Sequence, residues 1–120
     1  MYNSSMLNII PFEPVDYLMI GHITVDLSPN GSRLGGTATY SALTARAMGL
    51  RVGIVTSWGE EISSDPLNGI PIANFHTEKS STFENILTAQ GRVQYLYHNA
   101  PSIDYHLVPE VWRQAPIVHL

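Results

Sequence analysis

The sequence predicts an α/β domain with a parallel sheet at its centre, on the basis of three features in the first half of the chain. Residues 17–21 are a continuous apolar run of strand length, as expected of a buried strand. Residues 35–49 have the composition of a helix and are bounded by glycines. Residues 52–57 form a second apolar run directly after that helix. The order strand, helix, strand is typical of a parallel sheet.

The predicted helix at residues 35–49 starts with two glycines and carries small side chains on one face. That face holds alanines at helical spacing: Ala38, Ala42 and Ala45. Because Gly35 and Gly36 lack β-carbons, the backbone there can approach a ligand closely, and a helix start offers unpaired N–H groups. We expect the hydroxyl of Thr37 or Thr39 to cap the first turn. The alternative is a glycine turn before an ordinary core helix.

Strands with polar and apolar side chains are predicted directly after the first strand and again at residues 82–98. Residues 22–27 alternate polar and apolar side chains, which indicates a strand with one exposed face, and residues 28–32 form a turn. Residues 82–88 and 92–98 are β-rich runs joined by a connection that ends in Gly91, which predicts a hairpin. Both faces of the hairpin mix polar and apolar side chains, so we interpret it as a cover over a site.

The remaining segments complete the predicted domain. Residues 1–15 form an irregular lead-in, residues 72–75 a third short strand and residues 109–115 a short helix. Residues 117–120 start a new buried strand, and the given sequence stops there. We therefore expect residues 16–120 to be one truncated domain.

Composition and charge exclude several classes of protein. Hydrophobic residues make up 44% of the chain and charged residues 13%, which indicates a globular protein. The six basic residues are dispersed and the formal net charge is −4, so we expect neither nucleic-acid nor membrane binding. Cysteine is absent and the N-terminal apolar run lacks the pattern of a signal peptide, so we expect a cytoplasmic protein.

Several common site motifs are missing from the 120 residues. The chain contains neither the Gly-x-x-x-x-Gly-Lys-[Ser/Thr] motif of P-loop NTPases nor the Gly-x-Gly-x-x-Gly motif of dinucleotide sites. The five histidines are too widely spaced for a local metal motif, so we predict no metal site.

Asp26 is the most informative single residue, because it lies where the chain leaves the first strand. A carboxylate at this place can accept hydrogen bonds from two hydroxyls of a polyol, which is a common way to hold a sugar. The alternative interpretation is an aspartate that flanks a turn.

Three segments together resemble the N-terminal part of the PfkB carbohydrate kinases, the ribokinase-like family. They are the run Gly21-His-Ile-Thr-Val-Asp26, the pair Gly35-Gly36 at the start of a small-residue helix, and the run Val52-Gly-Ile-Val-Thr-Ser-Trp-Gly59. The hairpin is similar to the lid strands of that family. The resemblance extends over roughly residues 16–120, and it depends on the order of the elements more than on any single motif.

The resemblance implies a ribokinase-like three-layer α/β/α sandwich with a small β lid, of which only the N-terminal portion is present. The lid strands would lie near residues 22–34 and 81–98. The complete enzyme would use ATP and Mg²⁺ to phosphorylate a hydroxyl of a sugar or nucleoside, and a homodimer through the lid is a further implication. The implied substrate-binding residues are Asp26, Gly35, Gly36, Phe83, Tyr95 and Tyr97.

Tyr40 departs from the family pattern, which usually has asparagine at this place. We expect Tyr40 to set which substrate is accepted, because a tyrosine offers one hydroxyl on a rigid ring where asparagine offers a donor and an acceptor. The alternative is that Tyr40 packs into the core against the strand at residues 52–57.

A second departure concerns catalysis. The Gly-Ala-Gly-Asp segment that supplies the catalytic base in this family is absent from the 120 residues, so no catalytic residue is predicted and we expect this chain alone to be inactive. The alternative function is a non-catalytic sugar-binding or dimerisation module derived from the same fold.

Overall fold

The computed structural model describes residues 12–120, so most of the predicted lead-in at residues 1–15 lies outside the described part. The regular elements of residues 12–120 are eight strands and one α-helix: β1 (Tyr17–Ile20), β2 (Thr24–Ser28), β3 (Gly31–Gly35), α1 (Gly36–Ala47), β4 (Val52–Thr56), β5 (Ile72–Asn74), β6 (Thr82–Thr88), β7 (Gly91–His98) and β8 (Ile117–His119). Short 3₁₀ turns are formed by Asp65–Leu67, Tyr105–Leu107 and Glu110–Trp112. None of the helices in this part of the chain is long and apolar enough to cross a membrane.

The first sheet is parallel and has the strand order β5-β4-β1-β8. The two apolar runs that predicted it, β1 and β4, are its central strands, and Tyr17 lies opposite Val52 in their register. Every residue of β4 is buried, which explains why its sequence lacks the alternation of a half-exposed strand. The predicted parallel α/β arrangement is confirmed.

Helix α1 covers one face of the parallel sheet. Its buried residues include the three alanines predicted for that face, Ala38, Ala42 and Ala45. They pack with Met19 of β1 and Ile54 of β4 in one hydrophobic cluster. Side chains this small let the helix lie close to the sheet, which places its first turn near the end of β1.

The opposite face of the sheet is covered by Trp112 and its neighbours. Trp112 is fully buried, and its ring lies so close to Gly53 of β4 that a β-carbon there would be 2.9 Å from it. The helix predicted at residues 109–115 is only a 3₁₀ turn, Glu110–Trp112. Pro109 and Pro116 leave too few residues between them for a stable α-helix. Within residues 12–120, the sandwich therefore has its α-helical layer on one face only.

The second sheet has the order β3-β2-β6-β7 and corresponds to the predicted lid. Strands β2 and β3 form one hairpin and β6 and β7 another, and β2 pairs with β6 in parallel. The hairpin connection predicted before Gly91 is confirmed. Strand β3 takes in residues 31 and 32, which the local pattern assigned to a turn, and Gly35, which it assigned to the helix. The family resemblance had placed lid strands near residues 22–34.

Candidate functional site

A cleft of about 400 Å³ lies between the end of β1, the first turn of α1 and the inner face of the lid sheet. Its lining combines apolar side chains with hydroxyl, amide and carboxylate groups: Met19, Ile20, Gly21, His22, Thr24, Asp26, Gly36, Thr37, Ala38, Phe83, Asn85, Gln94 and Leu120. The carboxyl ends of parallel strands are where α/β folds bind ligands. Of the predicted site residues, the structure brings Asp26, Gly36 and Phe83 together here.

A groove of about 480 Å³ at the opposite end of the sheet is a weaker candidate. Arg46 there donates hydrogen bonds to the carbonyl oxygens of Asn68 and Pro66, at 2.7 and 3.1 Å. Arg51 is paired with Asp16 at 2.9 Å. Both arginines of this groove are therefore already bound to other groups of the protein. The cleft, in contrast, is lined by polar groups that are available to a ligand.

The Asp26 carboxylate has a defined orientation. Its Oδ1 accepts a hydrogen bond of 2.8 Å from the hydroxyl of Thr24, which is buried. On its other side it lies against the backbone of Gly35, where a β-carbon would collide with Oδ2. Asp26 itself is only partly buried, so the carboxylate remains open to a ligand in the cleft. Gly35 thus does not line the cleft itself, but its lack of a side chain leaves room for the Asp26 carboxylate.

The first turn of α1 borders the cleft with its backbone. Gly35 is the residue before the first turn, and no side chain caps this end of the helix. The predicted threonine cap is wrong, because the hydroxyl of Thr39 donates instead to the carbonyl oxygen of Gly35, at 2.7 Å. The first N–H groups of a helix have no partner within it, so the turn at Gly36 and Thr37 offers hydrogen-bond donors and the positive end of the helix dipole.

Gly36 has a backbone conformation that only glycine adopts easily, with φ of +84°. A β-carbon at this position would also lie 2.8 Å from the carbonyl oxygen of His22. The turn from β3 into α1 can therefore pass close to the end of β1 only because this residue has no side chain.

The lid contributes two amide side chains that were not among the predicted site residues. Asn85 of β6 lies opposite Gln94 of β7, and Gln94 Nε2 donates to Asn85 Oδ1 at 3.0 Å. Both line the cleft beside Phe83. The sequence feature that could have identified Asn85 is the alternation along β6, which places Phe83 and Asn85 on one face of that strand.

Tyr95 and Tyr97, which we predicted to lie near the substrate, are on the opposite face of the lid. Their rings stack with centroids 6.4 Å apart, and the Tyr97 hydroxyl donates to Glu84 at 2.5 Å. This hydrogen bond raises the pKa of Tyr97 above its ordinary value. In the register of the hairpin, Glu84 lies opposite Tyr95 and Asn85 opposite Gln94. The structure therefore does not bring the two tyrosines to the cleft.

Tyr40 lies outside the cleft, on the exposed side of α1. Its side chain is 53% exposed, so the alternative that it packs into the core is wrong. It does line a smaller depression next to the cleft, together with Asp26 and Asn85.

Comparison with known proteins identifies the fold. No family model matches the chain, and no curated protein matches it significantly. Among solved structures, a pyrophosphate-dependent kinase of the ribokinase family, complexed with a pyrophosphate analogue and myo-inositol, is 19% identical over 76% of this chain and 35% of its own, with a TM-score of 0.59.

Two further structures give the same result. A sulfate complex of a pyrophosphate-dependent kinase in the ribokinase family is 16% identical over 76% of this chain and 36% of its own, with a TM-score of 0.56. A pyrophosphate-dependent myo-inositol-1 kinase converted into a myo-inositol-3 kinase is 17% identical over 76% and 33%, with a TM-score of 0.56. The chain thus spans about a third of the length of these structures. It has a partial ribokinase-like α/β fold with a β lid.

Proposed function

We propose that this chain forms the substrate-binding part of a ribokinase-like kinase, in which a hydroxyl of a sugar or another polyol receives a phosphoryl group. The observation that carries the proposal is the Asp26 carboxylate, held by Thr24 and Gly35 beside a cleft of about 400 Å³. A cleft of this volume is in the range of small-molecule sites.

The groups around the cleft suit a ring that carries several hydroxyls. The Asp26 carboxylate can accept hydrogen bonds from two adjacent hydroxyls, while the amides of Asn85 and Gln94 can donate and accept. Phe83 offers an apolar surface for the C–H face of the ring. The first turn of α1 at Gly36 adds N–H donors. A cyclic polyol such as myo-inositol, named for two of the similar structures, fits this chemistry as well as a sugar or nucleoside does.

The phosphoryl donor needs groups that the described residues do not supply. Within residues 12–120, no three His, Asp or Glu side chains are grouped so that they could hold a metal ion. The 120-residue sequence also has no Gly-Ala-Gly-Asp segment. We therefore assign substrate binding to this chain and no catalytic residue. For the complete enzyme we propose ATP with Mg²⁺ as donor, with pyrophosphate as the second donor to assay.

The outer face of the lid favours a second candidate function, a module that associates through this surface. Exposed apolar and aromatic side chains are grouped there: Ile86, Val93, Tyr95 and Tyr97. Such a surface suits a homodimer formed through the lid, as the family resemblance implies. Sedimentation of the chain at several concentrations tests this candidate separately from polyol binding.

Replacing Asp26 tests the proposed function. Asp26→Ala should weaken the binding of myo-inositol or a sugar by about 1–3 kcal/mol, because the substrate hydroxyls lose their acceptor. The melting temperature should change little, since Asp26 is only partly buried. Calorimetric titration of the chain measures the affinity, and Asp65→Ala, at an exposed aspartate outside the cleft, is the matched control.

Two results would count against the proposal. Equal affinities of the wild type and Asp26→Ala for every polyol would remove Asp26 from the site. A collapse of stability in Asp26→Ala, with normal affinity in the molecules that still fold, would make the residue structural.

A further inference from the structure

A second, smaller depression of about 240 Å³ adjoins the cleft on the inner face of the lid. Its lining residues come from the first lid hairpin, from β6 and from α1: Asp26, Leu27, Ser28, Arg33, Tyr40 and Asn85. Asp26 and Asn85 line the cleft as well. One ligand can therefore occupy the cleft and extend past these two residues into the depression.

Arg33 is the cation of this depression. It lies on β3 directly opposite Asp26 of β2, and it is exposed. Within residues 12–120 the ion pairs are Arg51 with Asp16 and His76 with Glu60, so Arg33 takes part in neither. The Arg33 guanidinium also makes no side-chain hydrogen bond to another described residue in this structure.

The orientation of Asp26 explains why the two opposite charges do not pair. The Asp26 carboxylate is engaged by the Thr24 hydroxyl and lies against Gly35. Thr24 and Gly35 are themselves opposite one another, two pairs along the hairpin from Asp26 and Arg33 on the side of α1. The carboxylate therefore leans toward α1, and the guanidinium is left to face the depression.

We propose, on the basis of the proposed function, that this depression is a subsite for an anionic substituent of the polyol, bound by Arg33. The anion is a carboxylate or a phosphate monoester, which the planar guanidinium can bind through two parallel hydrogen bonds. Asn85 and Tyr40 also line the depression, and their side chains carry an amide and a hydroxyl that can donate hydrogen bonds.

Charge fixes the orientation of such a ligand. Asp26 accepts hydrogen bonds from hydroxyls and repels an anion, whereas Arg33 attracts it. The hydroxyl end of the ligand therefore lies in the cleft and the anionic end in the depression. The substrate class that follows is a sugar acid or a sugar phosphate rather than a neutral sugar.

A matched set of ligands tests this inference. Glucose, glucuronate and glucose 6-phosphate have the same ring with a neutral group, a carboxylate or a phosphate at one end. They are titrated, with myo-inositol, into the ¹⁵N-labelled chain, and the amide signals of Gly35 and Gly36 report binding in the cleft. The proteins compared are the wild type, Arg33→Gln, and Arg92→Gln as a control for net charge, since Arg92 is an exposed arginine at the far end of the lid hairpin.

The wild type should bind at least one of the two anionic ligands about tenfold more tightly than glucose, the scale of one charge-assisted hydrogen-bond pair. Arg33→Gln should bring that ratio close to one, and Arg92→Gln should keep it. The ligand with the higher ratio identifies carboxylate or phosphate as the group recognised.

Other results separate the two proposals. Binding of glucose or myo-inositol without any preference for the anions, or a preference that survives Arg33→Gln, overturns the subsite and leaves the proposed function standing. Equal losses for all ligands in Arg33→Gln also overturn it and make Arg33 a structural partner of Asp26. No binding of any ligand by a folded wild type removes the proposed function and the subsite together.

Discussion

Gly35 and Gly36 are adjacent in the chain, but they have different reasons to lack a side chain. Gly35 has extended backbone angles (φ −149°, ψ −161°) that any residue adopts, and a β-carbon there would meet the Asp26 carboxylate. Gly36 has φ of +84°, and a β-carbon there would meet the backbone of His22. The missing side chain of Gly35 is therefore needed for the position of the Asp26 carboxylate, and that of Gly36 for the backbone path from β3 into α1.

Alanine substitutions should separate these two roles. Gly35→Ala should weaken polyol binding by about 1 kcal/mol or more, because the carboxylate loses its position, while the melting temperature stays near that of the wild type. Gly36→Ala should lower the free energy of unfolding by about 1 kcal/mol or more, because alanine is strained at positive φ. Thermal unfolding and calorimetric titration of both variants measure the two quantities. The same loss of stability in both would show that Gly35 has no separate role in the site.

At the scale of the elements, the start of α1 shows why the predicted cap was wrong. The sequence assigned the helix to residues 35–49, with threonine near its first position. In the structure α1 begins at Gly36, so the capping position belongs to Gly35, which has no side chain to offer. Thr39 is already inside the helix, where its hydroxyl bonds back to the carbonyl of Gly35. The helix start is off by only one residue, but the capping position is Gly35 instead of Thr37 or Thr39, and this matters because the uncapped turn borders the cleft.

The lid hairpin shows a second limit of the sequence. Alternation separates the two faces of β7, but it does not tell which face is turned toward the cleft. A register shift between Thr82 and Phe83 further obscures how residues of β6 and β7 pair. Gln94 and Tyr95 are adjacent in the sequence but lie on opposite faces of the lid: Gln94 lines the cleft, and Tyr95 is on the outer face.

This difference gives a direct test of the lid orientation. Gln94→Ala should weaken polyol binding by about 0.5–1.5 kcal/mol, because an amide that faces the ligand is lost. Tyr95→Ala should leave the affinity unchanged, because its ring lies on the outer face. Both residues are exposed, so both variants should fold. An affinity that falls in Tyr95→Ala and not in Gln94→Ala would mean that the outer face of the lid holds the ligand.

The parallel sheet has one ion pair that should make its stability depend on pH. The Asp16 carboxylate accepts hydrogen bonds from the side chain and from the backbone N–H of Arg51. These bonds lower the pKa of Asp16 from 3.8 to about 2. These bonds join the residue before β1 to the residue before β4. A carboxyl whose pKa is lowered by folding stabilises the folded state above its unfolded pKa, and this contribution disappears as the pH falls through the folded pKa.

Asp16→Asn should therefore have a lower melting temperature than the wild type at pH 7. The difference should be complete above pH 3.8 and should shrink as the pH falls toward about 2. Because the pair is exposed to solvent, added salt should also reduce the difference. Melting curves of the two proteins across this pH range measure it, and a difference that stays constant down to pH 2 would exclude the ionised Asp16 as its cause.

At the scale of the whole molecule, the sequence predicts local features well and long-range pairing poorly. The apolar runs of β1 and β4 and the alanine face of α1 follow from periodicity, because burial imposes that pattern on each element separately. The pairing of β2 with β6 joins residues more than fifty positions apart, such as Val25 and Thr82, and no local pattern specifies it. Asp26 is recognisable because it is a carboxylate in the alternating segment that directly follows the first apolar run, whereas Asn85 and Gln94 become part of the site only through that pairing.

If the cleft beside Asp26 holds a polyol, the position of the bound ligand can be mapped on the ¹⁵N-labelled chain. Titration with myo-inositol should shift the amide signals of Gly35, Gly36 and Thr37 and the side-chain amide of Asn85 with one common dissociation constant. The signals of Tyr95 and Tyr97 on the outer face should stay in place. Shifts confined to the outer face of the lid or to the groove near Arg51, or a well-dispersed spectrum that does not change at any myo-inositol concentration, would contradict the claim.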